Sequence, residues 1–222
     1  MIPRPPPDAD LDPQILTPET LLWAYRNGLF PMADPGTGVI EWYSPDPRGV
    51  IPLETFHVPG NLRREVRGGR FEIRSDTAFD AVIRACAQPR PDDDLSWIDR
   101  RMIEAYTTLQ RLGHAHSVEA WLEGDLVGGL YGVHIGGVFF GESMFIRPDA
   151  GGTNASKVCL VHLVERLRRG GFQLLDTQFW TEHLDQFGCI KIGRAQYLAT
   201  LARAVEREGR WEEEGHEESH EP

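Results

Sequence analysis

The stretch SVEAWLEGDLVGGLYGVHIGGVFFGESMF, residues 117–145, decides the fold. Apolar, β-branched and aromatic residues recur through it, and two turn-forming sequences interrupt it, Glu-Gly-Asp at residues 123–125 and Ile-Gly-Gly at residues 135–137. Runs of this composition between glycine-containing turns are typical of strands that pair with their neighbours along the chain. The stretch therefore predicts three antiparallel strands in a meander.

Helical patterns lie on both sides of this predicted meander. Apolar residues recur every three or four positions over residues 154–169, which predicts a long amphipathic helix directly after it. Shorter helices are predicted at residues 61–67, 79–87, 99–112, 181–187 and 194–207, and further strands at residues 70–74, 172–179 and 189–192.

The N-terminal residues have a pattern of their own. Thr17 and Pro18 are the residue types that favour an N-cap and a first helical position, so a helix is predicted to begin there and to end at Asn27-Gly28. A turn is predicted at residues 29–32, and a strand at residues 39–44.

The order of these elements predicts the fold class. Helices, a three-strand meander, then helix, strand, helix and strand is the order of GNAT-type acyltransferases. We therefore expect a mixed α+β domain whose mainly antiparallel central sheet is flanked by helices. This GNAT-like domain is expected at residues 51–205, after a small N-terminal unit at residues 1–50 whose first 16 residues are loose. Residues 206–222 are rich in Glu and are expected to form a disordered acidic tail.

The net charge of −11 is distributed unevenly along the chain. Eight Glu and two Arg in residues 206–222 contribute −6, which leaves −5 for the rest. A local basic patch that binds nucleic acid is therefore compatible with the composition.

Composition also limits the class of protein. Hydrophobic residues make up 41% of the chain and charged residues 26%, as in globular domains. No apolar run approaches the roughly 20 residues that span a bilayer, and the N-terminus lacks the apolar stretch of a signal peptide. We expect a cytoplasmic protein with no membrane partner. Three scattered cysteines predict neither a disulfide framework nor a zinc ribbon, and the lack of heptads or repeats favours a monomer.

Three polar residues near predicted strands are candidates for catalysis. Asp176 and Gln178 lie two positions apart, so a regular strand directs both side chains to one face. Glu142 lies between Phe140 and Phe145, an apolar neighbourhood in which a carboxylate requires a reason. A half-exposed polar strand and a solvated edge-strand Glu are the alternatives.

Several segments, taken together and in this order, resemble the leucyl/phenylalanyl-tRNA–protein transferase family. They are AYRNGLFPM (24–32), WYSPDPRGVIP (42–52), SWIDRRMIEAYTTLQRLGHAHSVEAW (96–121), LVGGLYGV (126–133), FGESMF (140–145), NASK (154–157), LLDTQF (174–179) and HLDQFG (183–188). The resemblance implies an enzyme that moves Leu or Phe, and less readily Met, from aminoacyl-tRNA to the α-amine of proteins that begin with Arg or Lys, marking them for N-end-rule degradation. Because the aminoacyl ester is already activated, no cofactor is expected.

The resemblance also implies roles for the polar residues. It places Asp176 and Gln178 at the reaction centre, with Glu142 in the active site. We interpret Gln178 as orienting the acceptor amine, since an amide is hardly a base. Asp176 either holds Gln178 or, if burial makes its carboxylate more basic, acts as the base. Glu142 binds either the amino group of the substrate or the basic side chain of the acceptor.

An apolar pocket for a leucyl or phenylalanyl side chain is implied as well. Its walls are Trp97, Leu130, Phe139, Met144, Leu163 and Leu175, and Met32, Gly141 and Ser143 are expected to contact the aminoacyl-adenosine. The alternative is that these are ordinary core residues, above all the two leucines of the C-terminal half. Such a pocket discriminates between similar aliphatic side chains by only about 1–3 kcal/mol, so we expect it to prefer one side chain without excluding the others.

Four arginines, Arg63, Arg64, Arg67 and Arg70, crowd one short segment. Arg63 and Arg67 are four positions apart and share one helix face. We interpret the segment as a phosphate-contacting patch for the tRNA acceptor stem, and the alternative is a solvated basic face. His114 and His116 suggest a metal site, but no third ligand has a suitable spacing, so no metal is expected.

Two departures from the family pattern are visible. Met32 occupies the position of a Trp in many members, which removes an aromatic surface near the terminal adenosine. The loop RPDAGGT (147–153) is longer and richer in Gly than usual and borders the predicted active-site strand.

Two alternative functions remain at this point. A GNAT-type acetyltransferase that uses acetyl-coenzyme A requires the pyrophosphate loop [QR]-x-x-G-x-[GA], and here Arg147 is followed by glycines one residue out of register. A non-catalytic adaptor that binds tRNA or degrons would explain the basic patch but not Asp176 and Gln178 beside an apolar pocket.

Overall fold

A seven-stranded sheet forms the centre of the computed structural model, which describes residues 14–89 and 96–211. The strands are β1 (Phe30–Ala33), β2 (Ile40–Tyr43), β3 (Arg48–Ile51), β4 (Glu72–Ser75), β5 (Ala115–Leu122), β6 (Asp125–Ile135), β7 (Val138–Ile146), β8 (Leu174–Gln178) and β9 (Ile190–Ile192). The helices are α1 (Pro18–Arg26), α2 (Gly60–Arg67), α3 (Phe79–Cys86), α4 (Arg100–Arg111), α5 (Ala155–Arg169), α6 (Glu182–Asp185) and α7 (Arg194–Ala204).

The strand order in the central sheet is β4-β5-β6-β7-β8-β3-β9, and β1 pairs with β2 in a separate two-stranded sheet. All neighbours in the central sheet are antiparallel except β7 and β8, which run parallel. The meander of β5, β6 and β7 is the one that residues 117–145 predict. The predicted class, a mixed α+β fold with a mainly antiparallel sheet flanked by helices, is confirmed.

Apolar residues cover both faces of the sheet. The 15-residue helix α5 packs on β5 and β6 and buries Cys159, Val164 and Leu167 completely. Helices α3 and α4 pack on the other face, where Val82, Met102 and other side chains join the larger apolar cluster. Strands β7 and β8 are neighbours in the interior of the sheet, between these two helical layers.

Most predicted helices and strands are confirmed, and Thr17 accepts a hydrogen bond from the Thr20 N–H as the N-cap of α1. The predicted turn at residues 29–32 is wrong, because Phe30 pairs with Tyr43 and begins β1. The Pro31 of that segment lies in a two-stranded sheet, where a missing N–H donor is tolerated.

Strand β3 was not predicted, although it lies in the interior of the sheet between β8 and β9. It straddles the expected boundary at residue 50 between the N-terminal unit and the GNAT-like domain. Its Gly49 allows the close approach, because a Cβ there would lie 2.5 Å from the carbonyl carbon of Phe179.

The expectations for residues 1–13 and 212–222 lie outside the described residues. The described beginning of the expected tail, residues 206–211, packs against the body: the Trp211 ring stacks on His116 with centroids 4.2 Å apart. Within residues 14–89 and 96–211, no helix has the length and apolar character needed to cross a membrane.

Candidate active site

A cavity of about 420 Å³ lies where strands β7 and β8 separate. The parallel pairing of β7 with β8 spans three residues, from Val138 opposite Leu174 to Phe140 opposite Asp176. Beyond that point, residues of both strands line the cavity. We call it the aminoacyl cavity, after the group that the family resemblance implies these residues bind.

The structure brings most of the predicted pocket residues together at this cavity. Those that line it are Trp97, Leu130, Gly141, Ser143, Met144, Leu163 and Leu175. Phe139 is not among its lining residues: it is fully buried, and its ring stacks on Trp211 with centroids 5.5 Å apart. Met32 does not line the aminoacyl cavity either, but lines a small neighbouring cavity.

That small cavity, of about 80 Å³, adjoins the aminoacyl cavity. Trp97, Glu142, Gln178 and Phe179 line both, whereas Phe30 and Met32 line the small one alone. Phe179, for which the sequence predicted no role, lines both cavities and is 45% exposed.

A β-bulge positions Glu142. In the pairing of β6 with β7, Tyr131 lies opposite Ser143 and Gly132 lies opposite Gly141, so Glu142 is the extra residue. The backbones approach closely here, because a Cβ on Gly132 would lie 2.3 Å from the carbonyl oxygen of Phe140. The bulge thus directs the Glu142 carboxyl group towards both cavities.

Hydrogen bonds hold the Glu142 carboxyl group in place. Gln178 donates from Nε2 to Oε1 at 2.9 Å, and the Tyr106 hydroxyl makes a long hydrogen bond of 3.4 Å to Oε2. Tyr106 in turn is 2.5 Å from the hydroxyl oxygen of Tyr25. Both tyrosines lie in segments that resemble the family, but the sequence predicts no role for them, since only the fold brings residues 25, 106 and 142 together.

The environment of Glu142 favours its neutral form. The residue as a whole keeps some exposure, but protein atoms surround its carboxyl group. Burial raises the pKa of Glu142 to about 8, and the negative charge of Asp176 adds to the effect, while hydrogen bonding from Tyr25 and the charge of Arg48 oppose it. A carboxyl group with this pKa can exchange a proton with an amine near neutral pH.

Asp176 is completely buried and fully engaged. Its carboxylate accepts hydrogen bonds from Arg48 Nε at 2.9 Å and Nη2 at 2.8 Å, from the Tyr197 hydroxyl at 2.5 Å, and from the Gln178 backbone N–H at 2.8 Å. These four donors favour the first of the two predicted roles, in which Asp176 holds Gln178, over the role of a base.

Arg48 is the principal site residue that the sequence analysis missed. Its side chain is 1% exposed, and Nη1 also donates to the Gly28 carbonyl oxygen at 3.1 Å. Burial is the largest single influence and lowers the pKa of Arg48, but the charge of Asp176, the hydrogen bonds to it and the nearby Tyr197 and Glu142 together outweigh it, so the net shift is upward. The quoted segment WYSPDPRGVIP contains Arg48, and an Arg directly before an apolar run was the available signal.

Gln178 departs from regular strand geometry. Its φ of 58° lies in the left-handed region. The Phe179 N–H donates a hydrogen bond to the Thr177 carbonyl oxygen at 2.6 Å, which closes a tight turn around Gln178. A residue other than glycine in this conformation costs of order 1–3 kcal/mol and is typical of functional sites. The turn ends β8 and lets Gln178 reach Glu142 while Asp176 faces Arg48.

The four predicted tRNA-binding arginines are all exposed on or directly after α2. Arg63 donates to the Val58 carbonyl oxygen at 3.1 Å, and Arg70 donates to the Gly151 carbonyl oxygen at 2.8 Å. Arg70 thereby connects the patch to the loop at residues 147–153, which forms a 3-10 turn at Pro148–Ala150.

The histidine pair of the sequence analysis lies in another environment. His116 Nδ1 lies 2.8 Å from Asp76 Oδ2, and the ring stacks on Trp211. Among the described residues, no group of three or more His, Cys, Asp or Glu side chains is placed to hold a metal ion.

Comparison with known proteins identifies the family. The family model for leucyl/phenylalanyl-tRNA protein transferase matches residues 50–202, and the model for the N-terminal domain of the same transferase matches residues 14–46. The chain belongs to the leucyl/phenylalanyl-tRNA protein transferase family. It is therefore an aminoacyltransferase, and neither the acetyltransferase nor the adaptor interpretation is retained.

Two curated members of the family are similar over most of their length. The leucyl/phenylalanyl-tRNA--protein transferase of Salinibacter ruber is 53% identical over 199 residues, which are 90% of this chain and 84% of that protein. The enzyme of the same name from Paramagnetospirillum magneticum is 54% identical over 191 residues, 86% of this chain and 90% of that protein.

One solved structure similar to this transferase-family chain is a ribosomal-protein-alanine N-acetyltransferase from Brucella melitensis biovar Abortus 2308. It is 16% identical, with a TM-score of 0.37, and the match covers 52% of this chain and 84% of that one.

Proposed function

We propose that this chain transfers Leu or Phe, and less readily Met, from aminoacyl-tRNA to the α-amine of proteins that begin with Arg or Lys. The product would be marked for N-end-rule degradation. The observation that carries the proposal is the aminoacyl cavity, an apolar space whose polar border is the hydrogen-bonded pair of Glu142 and Gln178.

The lining of the cavity supports a large apolar aminoacyl side chain. Leu130, Leu163 and Leu175 are buried apolar walls, and Met144 adds a flexible thioether that adapts to different side chains. Its volume of about 420 Å³ leaves room for a leucyl or phenylalanyl group beside the ester. Because apolar walls discriminate weakly, a preference among Leu, Phe and Met is expected rather than exclusion.

The chemistry requires little beyond positioning. The α-amine attacks the ester carbonyl carbon, a C–N bond forms, the bond to the ribose 3′-oxygen breaks, and one proton passes from the amine to the leaving oxygen. The ester already supplies the driving force. An enzyme that holds amine and ester together removes most of the remaining barrier.

Glu142 and Gln178 suit the two parts of this task. An acceptor α-amine has a pKa of roughly 7.7–8.0, which matches the pKa of about 8 to which burial raises Glu142. Proton transfer between groups of similar pKa is efficient. The Gln178 side-chain carbonyl can accept a hydrogen bond from the attacking amine while Nε2 holds Glu142.

The exposed arginines of α2 support a tRNA partner. Arg63, Arg64 and Arg67 are available to phosphates because none of them forms an ion pair with a described carboxylate. Contacts of this kind fix orientation and are insensitive to nucleotide sequence. They would guide the acceptor stem while its terminal adenosine reaches the small cavity beside Met32 and Trp97.

A matrix of donors and acceptors tests the proposal. Leucyl-, phenylalanyl-, methionyl- and valyl-tRNA are each incubated with otherwise identical peptides that begin with Arg, Lys, Ala or Nα-acetyl-Arg. We expect products with the first three donors and the first two acceptors, with valine transfer lower by about 10-fold or more. Equal transfer to the Ala peptide would contradict the acceptor class, and valine transfer equal to leucine would contradict the donor class.

A further inference from the structure

Tyr131 lines the aminoacyl cavity and is fully buried, but its hydroxyl group has no hydrogen-bond partner in the described part of the chain. Buried hydroxyl groups in folded proteins are nearly always hydrogen-bonded, and a ligand that supplies the missing partner is one explanation for an exception. Tyr131 is one of five described residues with a buried, unpartnered polar side-chain atom, and the other four do not line the aminoacyl cavity. Its hydroxyl group is therefore the candidate for a further contact with the substrate.

The fold fixes Tyr131 beside the bulge that positions Glu142. Tyr131 lies opposite Ser143 in the pairing of β6 with β7, directly before the register shift. Its ring makes edge-to-face contacts with Phe79 of α3, at 5.8 Å between centroids, and with Tyr106 of α4, at 5.7 Å. Two such contacts leave the ring little freedom, so the hydroxyl group is held in place before a substrate binds.

The surroundings of this hydroxyl group favour a ligand that donates a hydrogen bond. Burial, above all, raises the pKa of Tyr131 well above its usual value. The ionisable groups that add to this shift are Tyr106, Glu142 and Cys86, all of which become negative on ionisation. Such surroundings disfavour a bound anion and favour an amine. The neutral hydroxyl oxygen has two lone pairs that can accept a hydrogen bond from an N–H group.

The aminoacyl ester carries an amine of its own, on the carbon that joins its side chain to the ester carbonyl. In the proposed function, on which this inference rests, Glu142 and Gln178 serve the amine of the acceptor instead. The hydroxyl groups of Tyr25 and Tyr106 already bond to each other. We propose that the Tyr131 hydroxyl group accepts a hydrogen bond from the α-amino group of the aminoacyl ester and thereby selects donors whose α-amine is free.

Removing the amine from the donor and the hydroxyl group from the enzyme tests this contact directly. The donors are leucyl-tRNA and 4-methylpentanoyl-tRNA, which is the same ester with hydrogen in place of the α-amine, and the acceptor is one peptide that begins with Arg. Tyr131→Phe should lower kcat/KM about 10-fold with leucyl-tRNA but less than about 2-fold with the deaminated donor. Because the hydroxyl group has no partner in the described protein, the urea midpoint should not fall.

Tyr106→Phe is the matched control. It removes a hydroxyl group that bonds to Tyr25 and Glu142, so it should lower the urea midpoint and change kcat/KM by the same factor with both donors. A loss confined to leucyl-tRNA in Tyr106→Phe, and not in Tyr131→Phe, would assign the amine to Tyr106 and overturn the inference.

Equal factors for the two donors in Tyr131→Phe would also overturn it. A wild type that transfers no leucine contradicts the proposed function instead. Binding of 3′-deoxy-3′-(leucylamido)adenosine and of its deaminated counterpart, two stable analogues of the donor end, then decides. An affinity that Tyr131→Phe lowers only for the analogue with the amine supports the contact, and equal effects on both analogues reject it.

Discussion

Arg48 and Asp176 form an ion pair of 2.8 Å in which neither side chain is more than 1% exposed. The pair joins β3 to β8 and supports the turn that presents Gln178. A buried charge without its partner is costly, and this dependence makes the pair a structural requirement of the candidate site.

Arg48→Met should lower the free energy of unfolding by about 3–5 kcal/mol, because it leaves the Asp176 carboxylate buried and unpaired. Urea denaturation measures the loss. Arg84→Met is the matched control, since the Arg84–Asp80 pair is 60% and 55% exposed and should be worth about 1 kcal/mol or less. Equal losses in the two variants would contradict a special role for Arg48.

Gln178→Ala should lower kcat by about 10²-fold with little change in the KM for leucyl-tRNA, since the amine loses its orienting partner. Steady-state transfer assays separate the two constants. Gln173→Ala, at an exposed position just before β8, is the control and should behave as wild type. Asp176→Ala is a poorer probe, because it leaves the Arg48 charge buried without its partner. Asp176→Asn keeps the shape of the side chain.

Glu142→Gln should change how stability depends on pH. The pKa of Glu142 is raised from 4.5 to about 8, so between these values the unfolded chain loses a proton that the folded protein keeps. The contribution of Glu142 to wild-type stability is therefore complete below pH 4.5 and is lost as the pH rises through about 8.

Unfolding free energies of wild type and Glu142→Gln at pH 5 and pH 9 check this sign. The unfolding free energy of the variant relative to that of the wild type should increase from pH 5 to pH 9, by at most about 5 kcal/mol. A difference that stays constant with pH would show that the Glu142 carboxyl group is not held in its neutral form.

Arg63→Ala combined with Arg67→Ala should raise the KM for tRNA and reduce the slope of its logarithmic salt dependence by roughly one to two. Kinetics between 50 and 200 mM salt give the slope. The control is Arg84→Ala with Arg100→Ala, two exposed arginines that form ion pairs on α3 and α4. If both double variants keep the wild-type slope, the basic segment does not contact the tRNA.

Met32→Trp should strengthen binding of the adenosine end, because a base stacked on an aromatic ring gains about 1–3 kcal/mol. Met32 lines the small cavity together with Phe30 and Trp97, so an aromatic ring there faces the same space. The KM for leucyl-tRNA should fall several-fold with kcat nearly unchanged. An unchanged or higher KM would place the adenosine outside the small cavity.

The fold was largely predictable because its signals are local. The meander of residues 117–145 and the amphipathic pattern of α5 each contain enough information within one segment. The two failures depend on pairing with other strands: β1 forms through its pairing with the nearby residues 40–43, and β3 through its place between the distant strands β8 and β9.

The candidate site was predictable only in part, because several of its contacts join residues that are far apart in the sequence. The segments that resemble the family pointed to Asp176, Gln178 and Glu142. The spacing of residues along the chain could not reveal that Arg48, 128 positions from Asp176, binds its carboxylate. Nor could it reveal the bulge that re-aims Glu142, which depends on the register between β6 and β7. Phe139 carried the same apolar signal as the residues that line the aminoacyl cavity, but the structure packs its ring against Trp211 instead.

We propose that the Glu142–Gln178 pair beside the aminoacyl cavity promotes aminoacyl transfer to a protein N-terminus. The most direct measurement is the mass of a peptide that begins with Arg after incubation with leucyl-tRNA, with wild type and with Gln178→Ala combined with Glu142→Gln. We expect one added leucine on the α-amine with wild type and almost none with the folded double variant. No added leucine with wild type, or equal addition with both proteins, would contradict it.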